Sequence, residues 1–205
     1  MNDIFFQRHG VNLDITYRCP LECPGCQRTL QHKQYRRKIP GEDIPIEDFI
    51  KITNWVKTIH FCGQLSDPVH HPKFIDMLKI TKEKTIHTTI HHASGFKKLE
   101  WYIKAFKANT KAEWHFGIDG LPHQSHMYRV NQDGEYLYNV MMESKKYLEN
   151  KPIWQYIIFS YNEKYIDEAI EKAKHDGVII NLMKTSRFEP ETIIYTPSKD
   201  NYIIR

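Results

Sequence analysis

Cys19, Cys23 and Cys26 lie in the run Cys19-Pro20-Leu21-Glu22-Cys23-Pro24-Gly25-Cys26, and the chain's other cysteine is Cys62. Three thiolates on one short loop can hold three irons of a four-iron cluster and leave the fourth iron without a protein ligand. An open iron is a place where a substrate or cofactor binds. A structural zinc site is the competing reading. Zinc takes four protein ligands, often in two paired half-sites, and here Cys62 or a histidine would have to complete the set. Four cysteines with three clustered do not form a disulfide framework and point to a metal in a reducing compartment.

The elements around this loop follow from periodicity. Val11 to Tyr17 alternates as a strand and runs into the cysteines. Ile46, Phe49, Ile50, Trp55 and Val56 have helical spacing after Pro45. Strands are expected at Thr58 to Phe61, Thr85 to His91, Glu113 to Ile118, Ile153 to Phe159 and Val178 to Met183. Helices are expected around Phe74, Ile75 and Leu78, over Leu99 to Phe106 and Glu135 to Leu148, and along Ile166, Ala169, Ile170 and Ala173 before Gly177. Six strand-helix alternations predict an α/β fold, a partial (β/α)6 barrel of parallel strands spanning residues 1–190. Residues 191–205 form a short C-terminal extension readable as a β-hairpin. In such folds the chemistry sits at the strand C-terminal ends. The cysteine loop, Cys62 to Pro72, His91 to Gly95, Asp119 to Arg129 and Tyr161-Asn162 all follow strands.

Composition sets the outer bounds. An apolar content of 40% with 26% charged residues fits a soluble globular domain. No apolar run is long enough to span a membrane, and the first residues lack a signal-peptide layout, so a cytoplasmic location is expected. The net charge of +4 is mild and leaves an anionic partner open, nucleic acid included.

On these motifs the chain resembles the radical SAM superfamily. The C-x3-C-x2-C loop after a first strand is that family's signature, and the resemblance runs over roughly residues 10–187. Gln64-Leu65-Ser66-Asp67-Pro68 resembles the family's Gly-Gly-Glu-Pro motif, with Asp67 standing for the usual Glu. Ala93-Ser94-Gly95 resembles its Thr-Asn-Gly turn. Gly117-Ile118-Asp119-Gly120 through Tyr128-Arg129, and Lys184-Thr185-Ser186-Arg187-Phe188, are similar to stretches of the SPASM-type peptide-modifying branch. The resemblance implies a [4Fe-4S] cluster on Cys19, Cys23 and Cys26. It also implies an S-adenosyl-L-methionine site that includes Ser66, Asp67, Ser94, Asp119, Arg129 and Asn162, with Asp67 on the methionine ammonium and Arg129 on its carboxylate. Reductive cleavage of S-adenosylmethionine to a 5′-deoxyadenosyl radical and hydrogen abstraction from a substrate would follow. A single-electron donor such as flavodoxin or ferredoxin is the implied partner. The chain departs from the family pattern in two ways. Gly25 replaces the aromatic residue common before the third cysteine. No cysteine follows Cys62, so the chain resembles a minimal core with one cluster and without the branch's auxiliary-cluster domain.

The branch resemblance implies a peptide or protein substrate, modified at a side-chain carbon. A nucleotide or small anionic metabolite is the second reading, and a non-catalytic zinc-binding module the third. Several residues have plainer roles open to them. Cys62 reads as a small buried residue. His70, His71, His91 and His92 read as structural hydrogen-bonding groups more readily than as catalysts, and Asp119 has a plainer reading as a turn residue. Asn162 reads equally as a helix N-cap or a ribose contact. The basic run Arg28, Lys33, Arg36, Arg37 and Lys38 reads as a solvated face, or as a site for an acidic electron donor or an anionic substrate.

Overall fold

The computed structural model describes residues 10–36, 41–184 and 190–198. Six strands form one sheet in the order β1 (Gly10–Leu13), β2 (Thr58–Phe61), β3 (His87–His92), β4 (Glu113–Gly117), β5 (Ile153–Ile157) and β6 (Ile179–Met183). Every neighbouring pair is parallel. Spatial order equals chain order, so each right-handed crossover adds its strand on the same side. A sheet wound in one sense keeps its helices on one face and curls as a barrel wall does, whereas a doubly wound sheet reverses. β1 and β6 are not paired with each other, so the barrel is open, as the α/β alternation predicts.

The helices are α1 (Gln27–Tyr35), α2 (Ile46–Thr53), α3 (Phe74–Glu83), α4 (Leu99–Ala108), α5 (Gly134–Ser144) and α6 (Ile166–Asp176). Strand alternation turns Ile59, Phe61, Ile90, Trp114, Phe116 and Trp154 toward the helices, where they meet Phe49, Phe74, Met77, Phe106 and Met141 in one buried core. Aromatic edges and faces fill it: Phe61 to Phe74 at 5.3 Å and Phe106 to Trp114 at 4.9 Å between ring centroids. Such pairs add about 1 kcal/mol each beyond the area that they bury.

The expected elements are present, with shorter ends. β1 stops at Leu13 rather than Tyr17, α2 stops before Trp55, and α5 ends at Ser144. α1 has no counterpart among the expected helices: it buries only Thr29, so it has no apolar stripe to betray it. Ahead of the expected hairpin segment, Pro190–Tyr195 form a 3-10 helix. Residues 199–205, where the rest of the expected hairpin falls, lie outside the described residues, as do positions 185–188 of the last family-like motif.

His92, at the end of β3, is among the residues that line the cavity there, but its ring packs into the helix-sheet core, 4% exposed, against Tyr102, Trp114 and Phe116. Neither ring nitrogen has a hydrogen-bond partner among the described residues. Burial pushes its pKa down to about 4. An unfolded histidine titrates near 6.5, so the stability that depends on a neutral His92 is complete above that pH and is lost as pH falls through 4. That loss amounts to about 3 kcal/mol. Replacement by leucine (His92→Leu) should flatten this acid limb and leave stability at pH 7 within about 1 kcal/mol. Urea unfolding at pH 7, 5.5 and 4.5 checks it, and parallel pH profiles for the two proteins would refute it.

Candidate functional site

The loops after β1 to β5 are held together by side chains that bond to backbone. Asp67 is the clearest case. Its Oδ2 accepts from the backbone N–H groups of Ala93 (2.9 Å) and Ser94 (2.8 Å), and its Oδ1 from Val69 (3.2 Å). One carboxylate, 3% exposed, thereby ties the loop after β2 to the loop after β3. Asp14, at the end of β1, takes the Leu65 N–H (2.9 Å) and the Ser66 hydroxyl. The turn between them needs a glycine: a Cβ on Gly63 would stand 2.0 Å from the Ser66 carbonyl oxygen.

The cysteine loop is pinned on several sides. Arg28 donates to the carbonyl oxygens of Cys19 (2.6 Å) and Leu21. The Glu22 N–H donates to the Val130 carbonyl at 3.2 Å, and Asp67 N–H to that of Arg18 at 3.0 Å. Arg28, part of a basic run in the sequence, is therefore a clamp, while Lys33 and Arg36 are exposed. Arg37 and Lys38 lie outside the described residues. Cys26 stands just ahead of α1.

After β4, Asp119 and Arg129 form a buried ion pair, Oδ2 to Nε at 2.7 Å. The contact is close but bent, since neither atom meets hydrogen-bond geometry. Asp119 Oδ1 also accepts from the Ile157 N–H at 2.8 Å, linking the β4 loop to β5. Burial pushes the Asp119 carboxyl up while Arg129 pulls it back. Burial pushes Arg129 down, but the charge of Asp119 and the contact with its carboxylate outweigh that and hold it protonated. The guanidinium lies over Gly117, where a Cβ would meet its Nη2 at 2.9 Å. Gln132 donates to the carbonyls of Ala93 and Gly117 (2.8 Å) and joins the ends of β3 and β4.

Cys19, Cys23, Cys26, Ser66, Asp67 and Arg129 all line one cavity of about 560 Å3, within the range of ligand sites. Cys62 lines it as well and is only half-buried, rather than enclosed as a small core residue. The other expected site residues do not open onto it. Ser94 is fully buried, with its hydroxyl 2.8 Å from His70 Nε2. Asn162 is corrected more fully. It makes no side-chain cap, and both its polar atoms are spent: Oδ1 accepts from Phe159 N–H (2.8 Å) and Nδ2 donates to the Ile157 carbonyl (2.9 Å). At 0% exposure it has nothing left for a ribose. Asp119, also fully buried, acts through Arg129 rather than by direct contact. His71 is structural, bonded to the Ile44 carbonyl at 3.0 Å.

The donor set fits a four-iron cluster: each thiolate would meet a different iron, and the three cysteines line one cavity. Burial pushes the Cys19 thiol up to about 12, helped by Asp67, and Cys23 up to about 11 against the pull of Arg129. Both are thiols at neutral pH until a metal displaces their protons.

No family model and no curated protein matches the chain. Solved structures do. SuiB from Streptococcus suis, bound to S-adenosylmethionine, aligns with a TM-score of 0.71 at 14% identity over 96% of this chain and 44% of its own. SuiB bound to its precursor peptide SuiA gives 0.72 at 13% identity, over 96% and 43%. The tagged protein anSMEcpe with bound AdoMet gives 0.63 at 13% identity, over 85% and 49%. HemN of Escherichia coli, a coproporphyrinogen III oxidase and radical SAM enzyme, gives 0.55 at 9% identity, over 91% and 45%. The chain has the fold of these proteins and spans about half their length or less.

Two substitutions separate structural from ligand-facing roles. Asn162→Ala strands a buried N–H and a carbonyl and should cost about 3 kcal/mol, read as a lower melting temperature with the cavity thiols still reactive in the native state. A melting temperature equal to that of the unmutated chain would show that Asn162 is not the staple described. Arg28→Met keeps the apolar stem but frees two loop carbonyls. It should speed alkylation of Cys19, Cys23 and Cys26 in the metal-free chain by several-fold, measured by mass spectrometry, and an unchanged rate would count against the clamp.

Proposed function

We propose that the chain is a radical SAM enzyme in which Cys19, Cys23 and Cys26 hold a [4Fe-4S] cluster and the cavity that they line receives S-adenosylmethionine and a substrate. The observation that carries this reading is that the three thiols and the loop residues Ser66, Asp67 and Arg129 face one cavity at the strand C-terminal ends. When bound, the cluster and S-adenosylmethionine supply one-electron cleavage of a carbon-sulfur bond and a radical able to take hydrogen from an unactivated carbon.

The chain's own residues bind, orient and exclude water. Arg129 offers fixed positive charge to a carboxylate in the cavity, and Asp119 on its Nε prevents the guanidinium from swinging away. Asp67 spends three acceptor positions on backbone, so its main contribution is to fix the loops after β2 and β3, with its remaining acceptor capacity turned to the cavity. Asp14 sets the Ser66 hydroxyl at the cavity wall. Lys33 and Arg36, exposed at the end of α1 beyond the cysteines, suit an acidic single-electron donor such as flavodoxin or ferredoxin. A peptide or protein substrate is favoured because SuiB, which shares the fold across nearly all of this chain, has been captured with a precursor peptide.

The test is anaerobic reconstitution with iron and sulfide, then dithionite and S-adenosylmethionine, with 5′-deoxyadenosine as the readout. Formation is expected, and Cys23→Ala should reduce it by at least about 100-fold. A colourless, zinc-loaded protein that binds no S-adenosylmethionine would refute the proposal.

A further inference from the structure

Over β1 to β4 the face of the sheet turned away from the helices is polar, which is unusual for the inside of a parallel barrel, while β5 and β6 set Ile153, Ile157, Ile179 and Met183 beside Gln155 and Asn181. Register places Asn12, His60, Thr89 and Glu113 in one row across β1 to β4, and His91 beside His115 in the next. None of the six strands contains a lysine or arginine, and Glu113 is their one acidic residue. His115 Nε2 lies 2.7 Å from Glu113 Oε1 and donates to it. Its ring stands 4.2 Å from that of His91, tilted by 32°. His91 Nδ1 donates to Gln155 Oε1 at 3.0 Å.

These hydrogen bonds fix both tautomers. With its Nδ1 proton committed, His91 keeps Nε2 as a lone-pair acceptor, and His115 keeps Nδ1. His115 Nδ1 and Thr89 Oγ1 are buried without partners among the described residues. His91 and Gln155 line the same cavity as the cysteines. Burial lowers the pKa of His60 and of His115, so both are neutral acceptors at pH 7. The groups facing His91 are His60 from β2, His87 and Thr89 from β3, Glu113 and His115 from β4 and Gln155 from β5. β1 and β6 bring only Asn12 and Asn181 among polar strand residues of this face. Among the described residues the cations lining the cavity are Arg28, which donates to loop carbonyls, Arg129, which pairs with Asp119, and Lys184, which has a contact of its own.

We propose that this face is a subsite for a cationic, hydrogen-bond-donating group of the substrate, an ammonium or guanidinium, received at His91 Nε2 with the Glu113 charge behind it through His115. Its place in the reaction rests on the radical SAM reading; its chemistry does not. A cation brings donors to a surface that offers acceptors and one negative charge. Beyond the reach of Arg129, which serves a carboxylate at the rim, an anion on this face would lose its water beside the Glu113 charge, the costlier outcome for a buried charge. The same balance weighs against a small anionic metabolite as substrate.

The probes are the tripeptides acetyl-Gly-Xaa-Gly-amide with Lys, Arg, Leu or Glu at the centre, titrated calorimetrically into the whole chain. The titrations are run with reconstituted cluster and S-adenosylmethionine, and again metal-free. The Lys or Arg peptide should bind at least about fivefold tighter than the Leu and Glu peptides. Glu113→Gln should reduce that preference below about twofold, and Glu113→Asp should restore part of it. Circular dichroism confirms that each variant is folded, and His91→Phe serves as the second variant should Glu113→Gln fail to fold. Equal or tighter binding of the Glu peptide, no measurable binding of either cationic peptide, or a preference that survives the loss of Glu113 would overturn the proposal. A cationic preference in a chain that binds no S-adenosylmethionine would support the subsite while sinking the radical SAM reading.

Discussion

Where a parallel strand ends, its backbone leaves the ladder while still under cover, and each freed N–H and carbonyl must find a partner. This chain meets that demand with side chains from elsewhere in the sequence. Asp67 answers three amides, Asn162 an amide and a carbonyl, Gln132 two carbonyls, and Arg28 two more. The bonds of Asp67 to Ala93 and Ser94 and of Gln132 to Ala93 and Gly117 cross from one loop or strand end to another. The C-terminal edge of the sheet is thus a stitched platform rather than a set of independent loops, and the cysteine loop rests on it through Arg28 and the Asp67 N–H. A site built on loops normally sacrifices precision. Here the stitching supplies the rigidity that regular structure would otherwise give.

The open barrel explains where the remaining space goes. Spatial order follows chain order, so the helices occupy one face and leave the other, polar over β1 to β4, to the cavity. Among the described residues β1 and β6 are unpaired with each other, so the barrel is not closed. SuiB and HemN carry more than half of their length outside the part that this chain matches.

The strands and the cysteine loop were legible because their signals are local. Period-two alternation and close cysteine spacing need no knowledge of distant residues. The misread positions share the opposite property. Asn162 looks like a cap or a ribose contact until the backbone of Ile157 and Phe159 is seen around it. His92 sits in a histidine pair that alternates faces, and the sequence does not say which of His91 and His92 turns inward. Arg28 hides in a basic run, and its partners are carbonyls, which leave no mark in a sequence. Asp14 lies fifty-one positions before the Leu65 amide that it holds, a separation that no window spans. Local pattern locates elements; the stitching between them depends on contacts made only after folding.

The closeness of Gly117 and Arg129 has a consequence for how this sequence can drift. A Cβ at position 117 would press on the guanidinium and on Ala93. A side chain there requires the guanidinium, held by Asp119, to shift, and a smaller residue at 129 relieves that contact while the one with Ala93 stays. The two positions, one on a strand end and one on a loop, are expected to vary together among the chain's natural variants. An arginine at 129 beside anything but glycine at 117 would mark a sequence whose platform had been rebuilt.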